Sequence, residues 1–198
     1  GGSVSQTSKS VTYDSTYGDL PTPTKDGYTF KGWFTSSTGG TQVTSTTKYT
    51  ITANQTLYAH WTVNTYTVTF NANGDSVAPA QVSPTSKTVT YDSSYGELPV
   101  PTRIGNEFNG WFTEVNGGVQ VKSTDKVVKA IAHTLYAQWI PEMRTITFLD
   151  SDQTTVLLST NVAYGTTITV PSYVTMHSGD VFKWWYDGNT AYQPGSNL

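Results

Sequence analysis

The sequence predicts a mainly β protein made of small tandem repeat domains in an elongated array. First, a set of strand and turn residues recurs at a constant spacing of 78 residues. Second, apolar residues alternate with threonines in several segments, as in strands that bury one face. We find no long segment with a helical period, and only a short helical turn near residues 78–82 stays open as an alternative.

The repeat is defined by identical residues at one offset. Of the 51 positions from Val11 to Trp61, 29 are identical 78 residues later. The shared strings are Val-Thr-Tyr-Asp-Ser, Tyr-Gly, Leu-Pro, Gly-Trp-Phe-Thr, Gly-Gly and Leu-Tyr-Ala-x-Trp, which start at residues 11, 17, 20, 32, 39 and 57. Self-similarity at a fixed period indicates that each copy is one structural unit.

A third, divergent copy follows. Residues 146–148 match residues 68–70, again at an offset of 78. Tyr164-Gly165 is aligned with Tyr95-Gly96 at an offset of 69, which implies that nine residues have been lost. The string Phe-Lys-Trp-Trp that ends at Trp185 loosely matches the Phe-Asn-Gly-Trp of copy two.

These matches predict three repeat domains, at 4–63, 64–142 and 143–198. The first has no counterpart of the segment around Tyr66, so we expect it to lack its first strand. The third stops before a counterpart of Leu-Tyr-Ala-x-Trp, so we expect it to lack its last strand. The links at 62–65 and 140–144 are not Gly/Ser coils, and neighbouring copies should therefore swing little.

Local patterns place the strands and turns. Tyr66, Val68 and Phe70 alternate with threonines, and residues 11–13 and 57–61 follow the same period of two. The Gly-Gly pairs at 39 and 117 indicate turns, and the Pro-x-Pro segments that start at residues 21 and 99 indicate extended chain.

The large apolar residues shared by the copies form the predicted core. A repeat of under about 80 residues buries little surface, and without any Cys it has no disulfide, so it depends on large side chains. The predicted core residues are Phe30, Trp33, Leu57, Trp61, Phe108, Trp111, Leu135, Trp139 and Trp185.

Composition and the comparison of copies argue against catalysis. The net charge of −3 and the scattered basic residues predict no nucleic-acid partner and no binding to an anionic membrane. No apolar run approaches the roughly 18–20 residues that insert into a bilayer. His60 becomes Gln138 in copy two, His133 stands where copy one has Gln55, and His177 lies in the divergent copy.

Acidic residues offer two further hypotheses. The pairs Asp14/Asp92 and Asp19/Glu97 are retained, and two carboxylates can hydrolyse a glycoside, but beside Tyr-Gly a turn-capping role is favoured. Asp150-Ser151-Asp152 resembles part of a calcium loop but lacks its Gly and closing Glu, so a hairpin turn is favoured. We therefore predict no enzyme activity, no cofactor and no metal site.

The segment Gly27-Tyr28-Thr29-Phe30-Lys31-Gly32-Trp33-Phe34, followed by Leu57-Tyr58-Ala59-His60-Trp61, resembles the Listeria–Bacteroides repeat, or internalin B-repeat. Copy two departs from the pattern at Asn106, and copy three carries Trp184 in place of a glycine. The resemblance implies β-grasp-like domains strung in tandem on secreted or wall-anchored bacterial surface proteins, as stalks or adhesion modules.

We accordingly expect an extracellular, non-catalytic stalk or spacer on a bacterial cell surface. The alternative is an adhesive module for a host protein or glycan, with Tyr49, Tyr66, Tyr173 and Tyr192 as candidate exposed contacts, because these tyrosines are not matched in both full copies. Open sheet edges in the incomplete copies also predict self-association by strand pairing.

Overall fold

The computed structural model describes residues 2–76, 78–150, 152–171, 185–187, 190–192 and 197, and these contain no helix. The strands are β1 (Tyr28–Phe34), β2 (Gln42–Val43), β3 (Tyr58–Val63), β4 (Thr65–Asn71), β5 (Ala80–Gln81), β6 (Ser86–Thr90), β7 (Thr102–Arg103), β8 (Asn106–Phe112), β9 (Gln120–Val121), β10 (His133–Pro141), β11 (Met143–Leu149), β12 (Val156–Ala163), β13 (Trp185–Asp187) and β14 (Thr190–Tyr192). The mainly β prediction is confirmed, and its β-grasp part stays a prediction. Residues 78–82 hold β5 and not a helical turn.

Contacts divide the chain into two compact units. The first holds residues 1–71, 83–99 and 111–136, and the second holds residues 72–82, 100–110 and 137–198. The first unit contains a three-stranded sheet of order β2-β1-β3, and the second contains the antiparallel pairs β5-β7, β11-β12 and β13-β14. The predicted repeat boundaries stay a prediction.

The largest sheet has the strand order β6-β4-β10-β8-β9. Within it, β4 has an antiparallel neighbour, β6, and a parallel neighbour, β10, whose Leu135 pairs with Phe70. Along β4, Val68 and Phe70 are buried and the intervening threonines are exposed, as the alternation predicted. The buried face of β4 therefore belongs to the core of copy two.

One predicted strand is absent. Residues 11–13 form no strand, although the equivalent segment of copy two lies at the end of β6. In copy two, β6 takes its ladder hydrogen bonds from β4, and none of the described strands pairs with residues 11–13 in this way. A strand without a neighbour has no partner for its backbone groups other than water.

The predicted core residues separate into two classes. Trp111, Leu135 and Trp185 are 2%, 0% and 8% exposed. The other six are half-buried, namely Phe30, Trp33, Leu57, Trp61, Phe108 and Trp139. In copy two Phe70 lies 4.9 Å from Trp111, and in copy three Phe148 lies 4.9 Å from Trp185, between ring centroids. The same pair of rings thus anchors both cores.

The structure corrects the alignment of the third copy. Tyr164 directly follows β12, as Tyr91 directly follows β6. The turn behind each closes with an equivalent backbone hydrogen bond, of 3.1 Å and 3.2 Å respectively. Tyr164-Gly165 therefore corresponds to Tyr91-Asp92 and not to Tyr95-Gly96. The sequence alignment was wrong because the left-handed residue that follows the tyrosine is Asp92 (φ 59°) in copy two and Gly165 (φ 79°) in copy three.

Candidate functional site: the joints between repeats

Two joints connect successive copies, and each has a single linker residue. Asn64 separates β3 from β4, and Glu142 separates β10 from β11, so the links are shorter than predicted. The N–H of Asn64 donates to the carbonyl of Gly27 at 2.9 Å, and its own carbonyl accepts from the N–H of Tyr91 at 3.0 Å. With both of its backbone groups bonded, the linker cannot rotate without breaking a hydrogen bond.

The second joint repeats this pattern. The N–H of Glu142 donates to the carbonyl of Gly105 at 2.8 Å, and the carbonyl of Glu142 accepts from the N–H of Tyr164 at 2.9 Å. Both linkers therefore tie a glycine of one copy to a tyrosine of the next.

In each joint the tyrosine ring also packs directly against the glycine. Gly27 has φ +75° and Gly105 has φ +67°, in the region that disfavours any side chain. A β-carbon built on Gly27 would overlap Cγ and Cδ1 of Tyr91, and one built on Gly105 would overlap the ring of Tyr164. Glycine is thus required at both positions for its backbone conformation and for the space that it leaves.

The first joint has additional ring contacts. Tyr28 meets Tyr91 edge-on at 5.8 Å between centroids, and Nζ of Lys25 lies 3.6 Å from the centroid of Tyr28. Oγ1 of Thr29 donates to Oδ1 of Asn64 at 2.6 Å, which fixes the linker side chain as well.

The second joint uses different side chains. Asn106 replaces Tyr28 and donates from Nδ2 to the carbonyl of Ile104 at 2.8 Å. The linker side chain of Glu142 forms an ion pair with Arg144. The pattern common to both joints is therefore the glycine, the bonded linker and the tyrosine.

A pair of charged residues borders the turn after Tyr91 in copy two and the equivalent turn after Tyr13 in copy one. Asp14 and Asp92 have φ values of 62° and 59°, and they form ion pairs with Lys48 at 3.0 Å and Lys126 at 2.8 Å. The hydrogen bond from Lys126 to Asp92 raises the pKa of the lysine. Exposed ion pairs of this kind add little stability, so these carboxylates act mainly as turn residues.

A second lysine binds the neighbouring turn. Lys87 donates from Nζ to the carbonyls of Tyr95 at 2.8 Å and Glu97 at 2.7 Å. In copy one Lys9 makes the equivalent bonds, to Tyr17 at 2.7 Å and Asp19 at 2.8 Å. The backbone of each retained acidic position, 19 and 97, is thus part of a turn.

The predicted binding tyrosines have partners within the chain. Tyr49 packs edge-on against Tyr17 at 5.5 Å, at the position of the fully buried Val127 in copy two. Tyr66 accepts from Nδ2 of Asn64 at 3.3 Å, and Tyr192 packs against the core cluster of copy three. All three are half-buried, while Tyr173 lies outside the described residues. Ligand binding by these tyrosines stays a prediction.

The histidines make structural hydrogen bonds. Nε2 of His133 lies 2.7 Å from the hydroxyl of Tyr95, and Gln55 accepts from the equivalent Tyr17 of copy one. Burial raises the pKa of both tyrosines, with smaller contributions from Asp125 at Tyr95 and from Tyr49 at Tyr17. His133 and Gln55 therefore contact the equivalent tyrosine hydroxyl in their two copies.

His60 is placed by stacking. Its ring stacks on Phe34 at 3.9 Å between centroids, and its Nε2 lies 2.8 Å from the carbonyl of Ser36. His177 lies outside the described residues. Nε2 of His133 thus contacts a tyrosine hydroxyl and Nε2 of His60 contacts a backbone carbonyl, each within its own copy.

The carboxylate of Asp152 closes the β11–β12 hairpin. It accepts from the N–H groups of Thr154 and Thr155 at 2.8 Å and 2.7 Å, and from Oγ1 of Thr155 at 2.5 Å. These bonds hold the pKa of Asp152 well below its usual range. Within the described residues, no three His, Cys, Asp or Glu side chains are grouped to hold a metal ion.

Copies of one small β unit, linked by joints of a single residue, define a tandem-repeat β protein. The chain belongs to the Listeria–Bacteroides repeat domain family, which it matches at residues 1–60, 66–138 and 145–198. It is 37% identical over 134 residues to Internalin H of Listeria monocytogenes, an alignment that covers 68% of this chain and 23% of that protein.

Two proteins of Evansella cellulosilytica, both named as membrane proteins and one also as Gly-rich, are similar as well. They are 31% identical over 167 residues and 33% identical over 171 residues, covering 83% and 85% of this chain. The chain spans about a quarter or less of the length of these three relatives, at 19–24%. No solved structure matches it. The part of the chain that the structure describes holds no helix able to cross a membrane.

Proposed function

We propose that the chain is a non-catalytic, semi-rigid spacer on a bacterial cell surface, which holds another part of its protein away from that surface. The observation that carries this proposal is the joint: one linker residue with its N–H and carbonyl both bonded, beside a tyrosine ring seated on a glycine. A spacer requires stable units and joints that resist bending, and both described joints have this form. The family and the names of the relatives support the surface location.

The spacer role is tested by the distance distribution between spin labels on copies one and two. The chain has no Cys, so the exposed Thr46 and Thr124, which are equivalent positions 78 residues apart, can each be replaced by Cys for labelling. We expect one narrow distance peak, because the joint at Asn64 limits rotation between the labels. A broad distribution in the unmodified joint contradicts the spacer.

A matched pair of glycine variants controls this experiment. Gly27→Ala places a β-carbon into the ring of Tyr91 and should broaden the peak. Gly39→Ala adds the same β-carbon at a similar φ of +66°, but no atom lies within 4 Å of it, so it should leave the peak unchanged. Equal effects of the two variants would show that the seat at Gly27 does not restrict the joint.

Adhesion is the second candidate, favoured by aliphatic residues that are exposed on copy two. Five of them are 66–73% exposed, and copy one has smaller or polar residues at the same positions. They are Val100, Ile104, Val119, Val128 and Ile131, opposite Thr22, Asp26, Thr41, Thr50 and Ala53 of copy one. Exposed apolar side chains mark an interaction surface where they form a contiguous patch.

A binding screen against glycans and extracellular-matrix proteins tests adhesion. Saturable binding that disappears when the five aliphatic residues are replaced by their copy-one counterparts would support it. Binding that survives this exchange would show that these five residues do not form the contact surface.

A further inference from the structure

The outer face of the five-stranded sheet carries two aromatic residues that the core does not use. Leu135 of β10 is fully buried, and because side chains alternate along a strand, Tyr136 lies on the opposite face. In the same way Trp111 of β8 is buried and Phe112 lies on the outer face. Tyr136 and Phe112 are half-buried, although β10 has β4 and β8 on its two sides. Part of each residue is thus open to solvent in a copy whose strands are paired.

Two amides extend this pair of rings into a row. Asn71 of β4 is the register partner of Tyr136, and Gln120 of β9 is the register partner of Phe112. Both amide side chains are exposed. Along the order β4-β10-β8-β9 the outer face therefore presents an amide, two rings and a second amide. Neighbouring strands lie about 4.8 Å apart, so this Tyr-Phe row is about 14 Å long.

Copy one repeats the row with identical residues. Phe34 is the register partner of both Tyr58 on β3 and Gln42 on β2. These three residues are identical to those of copy two at the offset of 78, so the two rings of copy two lie side by side as well. His60, whose ring stacks on Phe34, is instead replaced by Gln in copy two. The row is therefore retained between the copies, although it lies outside the core and a residue in contact with it changes.

Hydroxyl groups form a second row beside the first. Thr69 of β4 has Ser86 of β6 as its partner on one side and Thr134 of β10 on the other. Thr69 and Asn71 are two residues apart on β4, so they lie on the same face. None of the side chains in the two rows is acidic or basic. This face is therefore complementary to an uncharged ligand, because an anion or a cation would meet no opposite charge in these rows.

We propose that the Tyr-Phe row binds neutral glycans. A sugar ring has an apolar C–H face that can cover an aromatic ring, and hydroxyl groups at its edge that amides and threonines can bond. Aromatic side chains beside a small number of polar groups are the usual composition of a small-molecule site. A protein partner fits this face less well, because Ser and Thr are under-represented among the residues that dominate protein–protein binding.

This inference rests on the adhesive alternative, for which it names a ligand class, and not on the spacer role. Its residues also differ from the five exposed aliphatic residues of copy two. The spin-label distances test the joint and glycan binding tests the row, so the two proposals can fail separately.

Isothermal titration calorimetry of the full chain with neutral hexasaccharides of glucose, mannose, galactose and N-acetylglucosamine tests the proposal. We expect saturable binding of at least one of them. Tyr136→Ala should lower the number of ligands bound per chain by one, because copy two loses its ring, and Tyr58→Ala should do the same in copy one. The double variant should bind at least about tenfold more weakly. Tyr136→Phe, which keeps the ring, should stay within about threefold of the unmodified chain.

Two controls separate binding from folding and from the aliphatic residues. Tyr136→Leu keeps an apolar side chain beside Phe112 but has no ring, so it should remain folded in urea titrations and still lose the site of copy two. Exchange of the five aliphatic residues for their copy-one counterparts should leave the glycan affinity unchanged.

Three results would overturn the proposal. The first is the absence of saturable binding to every one of the four hexasaccharides. The second is a folded double variant that binds as the unmodified chain does. The third is binding of an extracellular-matrix protein that requires Tyr136 while no glycan does, which would make the row a protein interface.

Discussion

Copies one and two share 29 of 51 aligned residues and yet bury them differently. Leu135 is fully buried and Trp111 is 2% exposed, while their identical counterparts Leu57 and Trp33 are half-buried. The difference is β4, which pairs with Leu135 through Phe70 and places that ring against Trp111. Among the residues that the structure describes, the sheet of copy one, β2-β1-β3, contains no such strand.

The comparison teaches that the strand after the linker completes the core of copy two. Copy three follows the same rule, because Phe148 of β11 packs against Trp185 as Phe70 of β4 packs against Trp111. Identical residues can therefore contribute different amounts to the free energy of unfolding. The strand that directly follows the linker residue is also the one that supplies core residues to the second copy.

The largest expected effect is a difference between two identical leucines. Leu135→Ala removes a fully buried side chain and should lower the free energy of unfolding by about 2–5 kcal/mol. Leu57→Ala removes a half-buried side chain and should cost less than half as much, because less apolar area is lost. Urea unfolding followed by tryptophan fluorescence measures both. Equal losses would mean that β4 does not set the burial of this position.

The next effect concerns the second joint. Gly105→Ala forces a β-carbon into the ring of Tyr164 in a left-handed backbone, and it should cost about 2–4 kcal/mol from overlap and backbone strain together. Gly117→Ala has a similar φ of +69° with no atom within 4 Å, so only the backbone strain of about 1–2 kcal/mol remains. Thermal unfolding of the two variants measures the difference. If the two variants lose the same stability, the contact between Tyr164 and Gly105 adds none.

Much of the fold is predictable from local pattern. The alternation along β4, the turns at the glycine pairs and the common offset of 78 follow from residue type and spacing, and Gly39 and Gly40 do have positive φ values of 66° and 77°. Alternation alone could not show that residues 11–13 would form no strand, because a strand depends on a neighbour that may lie far away in sequence.

The joints were not predicted because their partners are distant. Gly27 and Tyr91 lie 64 residues apart, and Gly105 and Tyr164 lie 59 apart, so no local pattern connects them. The available signal was that both glycines and the first of these tyrosines are retained at the repeat offset. Tyr164 was not recognised as the tyrosine of the second joint, because Tyr164-Gly165 is identical to Tyr95-Gly96 and was aligned with it. Its position directly after a strand is the feature that relates it to Tyr91.

Alkaline pH offers a smaller effect that should be similar in both copies. Burial raises the pKa of Tyr17 and Tyr95 above the ordinary value of 10.0. The folded state therefore holds these protons more tightly than the unfolded state does, so the stabilisation is complete below pH 10 and is lost as the pH rises through the raised values. Unfolding of Tyr95→Phe between about pH 8 and 11 should show a shallower decline than the unmodified chain. A decline of unchanged slope would assign it to other groups.

The smallest expected effect exchanges a residue between copies. His133→Gln gives copy two the partner that Tyr17 has in Gln55, and the amide oxygen can accept from the hydroxyl of Tyr95 as Nε2 of the histidine does. The free energy of unfolding at neutral pH should change by less than about 0.5 kcal/mol, within the range of substitutions that preserve a hydrogen bond. His133→Leu, which is similar in size but accepts no hydrogen bond, should cost about 1–3 kcal/mol because the tyrosine hydroxyl loses its partner. A large loss in the glutamine variant would show that the two copies depend on different groups at this position, and that the histidine has a role which the comparison with copy one does not reveal.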